Sequence, residues 1–239
     1  MKAPLSGRRA LVTGGTRGIG AAIALRLRQD GAEVIVTGAQ SDGKTPEGCS
    51  HRAIDLSDRK AAETFAGEAS SLDFDVLVNN AGINKIAPFS KIATVDYDRI
   101  QEVNVRGPFL LCRAVLPGMI ARGWGRIINV TSVFGVLGKE HRAAYAASKF
   151  ALDGLTACLA AEAASQGVLA NCVAPGFIDT DLTRSILGEA GMAEIARAVP
   201  AKRLGRPEEI AAFVAWLCGP ENTYISGQSL VIDGGFSRV

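Results

Sequence analysis

The chain has 239 residues, 26 Lys and Arg against 24 Asp and Glu, and a net charge of +2. That balance argues against a nucleic-acid surface, and no run of about eighteen apolar residues is present to span a membrane. With 48% hydrophobic and 21% charged residues it has the make-up of a globular α/β protein, expected to form a single domain over residues 1–239 with one large core.

From the N-terminus, Arg9-Ala10-Leu11-Val12-Thr13 is short and apolar, and a first strand is expected over Ala10–Thr13. It runs into Gly14-Gly15-Thr16-Arg17-Gly18-Ile19-Gly20 and then into a helix expected over Gly18–Asp30. Strand, glycine turn and helix in that order form an entry for a dinucleotide. Gly14 permits the tight turn, Gly18 allows a pyrophosphate to approach the backbone, and Gly20 lets the helix pack on the strand. The start of the helix offers free N–H groups and a positive dipole end to phosphate.

Further strands are expected over Glu33–Thr37, Ser50–Ile54, Val76–Asn79, Arg126–Val130, Leu169–Ala174 and Ser229–Ile232. Helices are expected over Arg59–Ala69, Thr94–Val105, Arg106–Ala121, Ala144–Ser165 and Pro207–Cys218. Pro207 followed by Glu208 and Glu209 suits a first helical turn. The alternation predicts an α/β fold, a doubly wound parallel sheet of seven strands with helices on both faces. Between the second and third strands, Gly38–Cys49 holds three glycines and a proline, so a loop or minimal turn is expected there.

Tyr145 and Lys149 are one helical turn apart and share a helix face, and Ser132 precedes the tyrosine by thirteen residues. Phenol is a poor acid near neutral pH, with an unperturbed pKa of about 10. A neighbouring ammonium stabilises phenolate, so Lys149 is expected to lower the pKa of Tyr145. The tyrosine can then exchange a proton with a carbonyl or alcohol oxygen that the serine hydroxyl also holds.

These two motifs together resemble the short-chain dehydrogenase/reductase family, and further matches run along nearly the whole chain. Thr13-Gly14-x-x-x-Gly18-x-Gly20 is similar to its cofactor turn, Asn79-Asn80-Ala81-Gly82 to its fourth-strand signature, and Ile232-Asp233-Gly234-Gly235 to its last strand end. Asn104 falls where the family keeps a catalytic asparagine, and Pro175-Gly176 with Thr180 resembles its nicotinamide-side loop. The resemblance implies a Rossmann fold, catalytic roles for Asn104, Ser132, Tyr145 and Lys149, and an NAD(P)(H)-dependent hydride transfer. In that scheme Asn104 anchors a water in a proton path, and Lys149 also holds the nicotinamide ribose. It further implies cofactor contacts at Gly14, Thr16, Arg17, Gly18, Ile19 and Gly20, and at Asp55 and Leu56. More are implied at Asn80, Ala81 and Gly82, at Pro175, Gly176, Ile178 and Thr180, and at Tyr145 and Lys149 themselves. Asp55 has a second reading as a helix cap.

The end of the second strand, Thr37-Gly38-Ala39, carries no acid to bond a ribose 2′-hydroxyl, and Arg17 stands in the glycine turn. In NADP-using members that this chain resembles, a basic residue there pairs with the 2′-phosphate. NADP(H) is therefore favoured, with NAD(H) as the alternative.

The pocket is expected between Val133–Ala144 and Phe177–Arg203. Phe134, Val136, Leu137, Phe177, Leu182 and Ile186 would make it apolar, with Lys139, Glu140, His141 and Arg142 at its rim. Plain core or lid packing is the other reading of the apolar set. The wording around Pro175 and Pro200 is similar to 3-oxoacyl-[acyl-carrier-protein] reductases, which dock an acidic carrier through basic residues. Arg122 and Arg126 are candidates for that contact, although Gln166 stands where those reductases often have arginine. The alternatives are a sugar, polyol or small-alcohol dehydrogenase and, in a different class, a non-catalytic dinucleotide-binding protein.

The N-terminal Met1-Lys2-Ala3-Pro4-Leu5 lacks the apolar stretch of a secretory signal. Cys49, Cys112, Cys158, Cys172 and Cys218 form no Cys-x-x-Cys pair and are expected to be buried reduced thiols of a cytoplasmic protein. Two histidines, His51 and His141, are too few for a zinc site, and no metal is expected. The family resemblance implies a homotetramer built through Arg106–Ala121 and Ala144–Ser165, where Ala160, Ala161, Ala163 and Ala164 would permit close helix approach or simply serve helix propensity.

Overall fold

Strands that are buried on both faces have no polar side to show, and the centre of this sheet is built from them. The computed structural model describes residues 3–41 and 45–239. In chain order its strands are β1 (Arg9–Val12), β2 (Glu33–Gly38), β3 (Ser50–Ala53), β4 (Val76–Asn79), β5 (Gly125–Val130), β6 (Val168–Pro175) and β7 (Ser229–Ile232). The spatial order is β3-β2-β1-β4-β5-β6-β7, and every pairing is parallel. β4, β5 and β6 are buried at every position, as expected of strands covered from both sides.

The helices are α1 (Gly18–Gln29), α2 (Arg59–Ala69), α3 (Thr94–Gln101), α4 (Gly107–Ala121), α5 (Ala143–Ala163), α6 (Asp181–Ala198) and α7 (Pro207–Cys218). On one face, Ile23, Ala24 and Leu27 of α1 pack with Ile210, Val214 and Leu217 of α7 over Val12, Val36 and Ile128. On the other, Phe65 of α2, Leu111 and Met119 of α4 and Ala160 of α5 cover Leu11, Leu77 and Ile127. The order of strands reverses between β1 and β4, which opens a crevice at their carboxyl ends.

All seven expected strands form, each within one residue of its predicted ends. The described part of Gly38–Cys49 contains no helix; Asp42, Gly43 and Lys44 lie outside the described residues, as do Met1 and Lys2. Two features depart from expectation. The first is α6, an amphipathically silent helix with no buried residue, broken at Gly188 where φ is 62°. The second is a wide π turn at Glu102–Arg106, which joins α3 to α4 where two ordinary helices were expected to abut. Ion pairs from Arg59 to Glu102 and from Arg106 to Glu63 hold that turn at its ends.

The cysteine and alanine readings need correction. All five thiols are free, but Cys158 is exposed and Cys49 only partly buried, because Cys158 lies on the face of α5 turned away from the sheet. Ala160 and Ala163 are buried against that sheet, so only Ala161 and Ala164 face outward.

Arg126 is corrected too. It is 5% exposed, and its guanidinium donates to the carbonyls of Gly125 (2.8 Å) and Asn222 (2.9 Å) and stacks on Trp124. Arg122 is held by Asp73 (2.9 Å) and the carbonyl of Phe74 (2.7 Å). Arg126 is thus no free basic group for a carrier protein, whereas Arg122 stays exposed at the surface.

The central strands should dominate stability. Ile127→Ala, at a site with no exposure, is expected to cost about 2–5 kcal/mol in urea unfolding while leaving the crevice residues in place.

Candidate active site

The crevice is a cavity of about 750 Å³ that runs from Thr16, Arg17 and Gln40 at one end to Phe134, Arg142 and Ile186 at the other. Its first wall is the turn after β1. Gly14 has φ of 61°, and a Cβ there would come within 2.9 Å of the Ala81 backbone. A Cβ at Gly20 would come within 2.2 Å of the Gly14 carbonyl, so only glycine lets α1 start this close to β1. Asn80 fastens the two strand ends together by donating to the carbonyls of Thr13 (3.0 Å) and Gly14 (3.1 Å). The N-terminus of α1 has no side-chain cap, which leaves its N–H groups facing the cavity.

Every cofactor residue expected from sequence lines this cavity: Gly14, Thr16, Arg17, Gly18, Ile19 and Gly20, then Asp55 and Leu56, then Asn80, Ala81 and Gly82, then Pro175, Gly176, Ile178 and Thr180 with Tyr145 and Lys149. Arg17 is exposed and has no carboxylate partner among the described residues. The Asp55 carboxylate accepts from the Ser57 N–H (2.9 Å) and hydroxyl (2.7 Å), which holds its pKa below the ordinary value. The cap of α2 is Asp58, which accepts from the Ala61 N–H at 3.0 Å. Glycines that a Cβ would overfill, an uncapped helix start and an unpaired arginine suit a dinucleotide phosphate backbone.

The reacting end is built on β5 and α5. Ser132 follows β5 in extended conformation and accepts from the Phe134 N–H at 3.2 Å. Lys149 is 3% exposed, donates to the Val130 carbonyl at 2.8 Å, and lies 5.5 Å from the centre of the Tyr145 ring. Burial pulls its pKa down to about 8. Burial also raises the Tyr145 pKa; the hydrogen bond with Ser132 and the charge of Arg142 lower it in part. The expected lowering of the Tyr145 pKa is not seen: burial raises it, and the Lys149 ammonium donates to the Val130 carbonyl.

Asn104 is fully buried in the π turn. Its amide accepts from the Ile83 N–H (2.9 Å) and donates to the Ile83 carbonyl (2.9 Å) and the Ser148 hydroxyl (3.0 Å). Ser148 in turn donates to the Tyr145 carbonyl at 2.7 Å. The side chain clamps the Ile83 loop to α5, so a water bound there is left one lone pair of Oδ1. Ser148 was missed in the sequence, although its place beside Lys149 was the available signal.

Of the expected substrate-side residues, Phe134, Phe177, Leu182, Ile186 and Arg142 line the cavity, and Asn84, Arg99 and Leu187 join them. Val136, Leu137, Lys139, Glu140 and His141 do not. No cluster of metal-ligating side chains occurs among the described residues, and no helix is long and apolar enough to cross a membrane.

A family model described as enoyl-(acyl carrier protein) reductase matches residues 14–237. The chain is 42% identical to the 3-oxoacyl-[acyl-carrier-protein] reductase of Vibrio cholerae, over 98% of this chain and 99% of that protein. A gluconate 5-dehydrogenase from Burkholderia cenocepacia, solved with NADP and tartrate, superimposes with a TM-score of 0.91 at 32% identity, covering 100% and 98% of the two chains. A 3-oxoacyl (acyl-carrier-protein) reductase from Agrobacterium tumefaciens with NADP bound gives 0.90 at 32% identity, covering 98% and 95%.

The buried lysine sets a pH limit. Below about pH 8 its ammonium is charged, and above that value the charge is lost. NADPH affinity should therefore weaken as pH rises through about 8, a limb that fluorescence titration should find absent in Lys149→Met.

Proposed function

We propose that this chain, which belongs to the short-chain dehydrogenase/reductase family of oxidoreductases, uses NADPH to reduce the ketone of a 3-oxoacyl thioester to the alcohol. One observation carries the reading: Ser132, Tyr145 and Lys149 converge on the inner end of a cleft whose other end is shaped for a dinucleotide. Residues 1–239 are read as one domain that performs the whole reaction.

The bound nicotinamide supplies the hydride. Ser132 holds the substrate oxygen through its hydroxyl. Tyr145 donates a proton to that oxygen as negative charge develops on it. Burial keeps the phenol protonated at neutral pH, the state a proton donor needs. Lys149 places a positive charge 5.5 Å from the centre of the tyrosine ring and would hold a ribose hydroxyl of the cofactor. Asn104 and Ser148 fix the backbone of Tyr145, and so the direction of its hydroxyl.

The thioester reading follows the relatives named as acyl-carrier-protein reductases, of which one shares 42% of its residues with this chain. With Arg126 buried, docking of an acidic carrier would use exposed basic groups such as Arg122. A second reading, a sugar, polyol or sugar-acid dehydrogenase, is favoured by the polar groups at the substrate end and by the gluconate 5-dehydrogenase likeness. NADP(H) is preferred because Arg17 is free to pair with a 2′-phosphate and no acid ends β2. A cytoplasmic homotetramer is the assembly proposed. Phe109 on α4 and Phe150 on α5, 44% and 49% exposed, are apolar groups on the outer faces of the two helices that would meet.

Two measurements test this. Tyr145→Phe should lower NADPH oxidation with acetoacetyl-CoA by about 10²–10⁴-fold while leaving NADPH affinity intact; near-normal rates in folded protein would defeat the assignment. Arg17→Glu should weaken NADPH relative to NADH by about 10- to 100-fold, read from the two dissociation constants.

A further inference from the structure

Arg142 has no role in the mechanism above, yet its side chain borders the substrate end of the cavity. It caps the start of α5, three residues before Tyr145, and the two side chains border the same cavity. The turn that delivers it has His141 at φ of 64°, a left-handed conformation unusual for a residue with a side chain. The guanidinium lies 5.6 Å from the centre of the Phe134 ring. Among the described residues it has no carboxylate partner and no side-chain hydrogen bond. Burial lowers its pKa, so it is partly desolvated without an anion to offset that.

The cavity's own carboxylates do not satisfy it. Asp55 is bonded to Ser57, and Asp181 is exposed in the first turn of α6. Across the pocket, Asn84 also lines the cavity, and its buried Oδ1 has no donor. The two loops are joined where the Ala87 N–H donates to the His141 carbonyl at 3.2 Å. The guanidinium thus borders the cavity with no acceptor of its own. A substrate that is merely apolar would leave it unsatisfied, whereas an oxygen in reach would accept from it.

We propose that Arg142 is a specificity residue: its guanidinium donates to a second oxygen of the substrate, on the acyl carbon two bonds from the reacting ketone. The substrate class is then the 3-oxo acids and their derivatives, and simple ketones are disfavoured. The inference rests on the reading that Tyr145 protonates the ketone oxygen, since that oxygen sets where the acyl group falls. The shared chemistry is an acyl oxygen, which a thioester carbonyl or a free carboxylate supplies. The carboxylate is the better match because it also neutralises the guanidinium.

The test compares kcat/KM with NADPH for acetoacetyl-CoA, acetoacetate and butan-2-one in wild type, R142L and R142K. R142L should lose about 10-fold on the thioester and about 100-fold on the carboxylate, each relative to its change on butan-2-one. R142K should recover part of the loss. Equal losses on all three would overturn the proposal and make Arg142 a group that acts through Tyr145; equal retention of all three would overturn it as well. Calorimetric titration of the NADP⁺-loaded protein with 3-hydroxybutyrate needs no turnover. Equal affinity in wild type and R142L would again overturn the proposal. Arg142-dependent binding in a protein that turns over none of the three would support the pocket reading and sink the reductase assignment instead.

Discussion

The hydrogen bond from Lys149 to the Val130 carbonyl is the constraint on which the site depends, because it ties α5 to the carboxyl end of β5. An ammonium that is 3% exposed must have oxygen acceptors, and the one it finds is the last carbonyl of the strand that leads to Ser132. Helix and strand are thereby locked in depth. A Cβ at Gly135 would come within 3.1 Å of the Lys149 side chain, which shows how closely the two segments pack. Tyr145, one turn earlier on the same helix, is carried to Ser132 by that docking. With the bond from Asn129 to the Thr156 hydroxyl (2.8 Å) further along the same helix, this contact positions the serine, the tyrosine and the lysine together.

The electrostatics of this arrangement are not those of an isolated lysine beside a phenol. Lys149 is buried and Tyr145 partly so, and desolvation acts on them in opposite senses: it discourages the lysine charge and discourages phenolate. The phenol keeps its proton, which suits reduction, and the lysine sits close to the point of losing its own. A negative or strongly polar group brought into the cleft would favour the charged lysine. Filling the cleft and charging the site are therefore coupled, and the resting protein is not expected to show the proton affinities of the working one.

Much of this was legible in the sequence, for physical reasons. The central strands are apolar because they are covered on both sides, so Val76–Asn79 is read to the residue. The glycine turn is legible because Gly14 and Gly20 meet backbone where a side chain cannot fit. What escaped was structure without a periodic burial signal. Asp181–Ala198 has no buried face and carries two glycines, so nothing in its pattern marks a helix. The π turn at Glu102–Arg106 shifts the helical register by one residue, a change that composition does not encode. Arg126 reads as a surface charge until Trp124 and the Asn222 carbonyl are brought to it by the fold.

That π turn also bears on how the asparagine acts. In a regular helix a buried amide side chain must find partners on its neighbours, whereas here Asn104 is turned inward far enough to pair with both backbone groups of Ile83. The loop it grips runs on through Asn84 to Ala87, whose N–H reaches the His141 carbonyl. Arg142 follows directly. The asparagine therefore connects two sides of the substrate end: through Ser148 it steadies Tyr145, and through Ile83 it steadies the loop facing Arg142. Its weight in the reaction need not come from a water it holds, because a rigid frame around the phenol and the guanidinium already requires both ends of its amide.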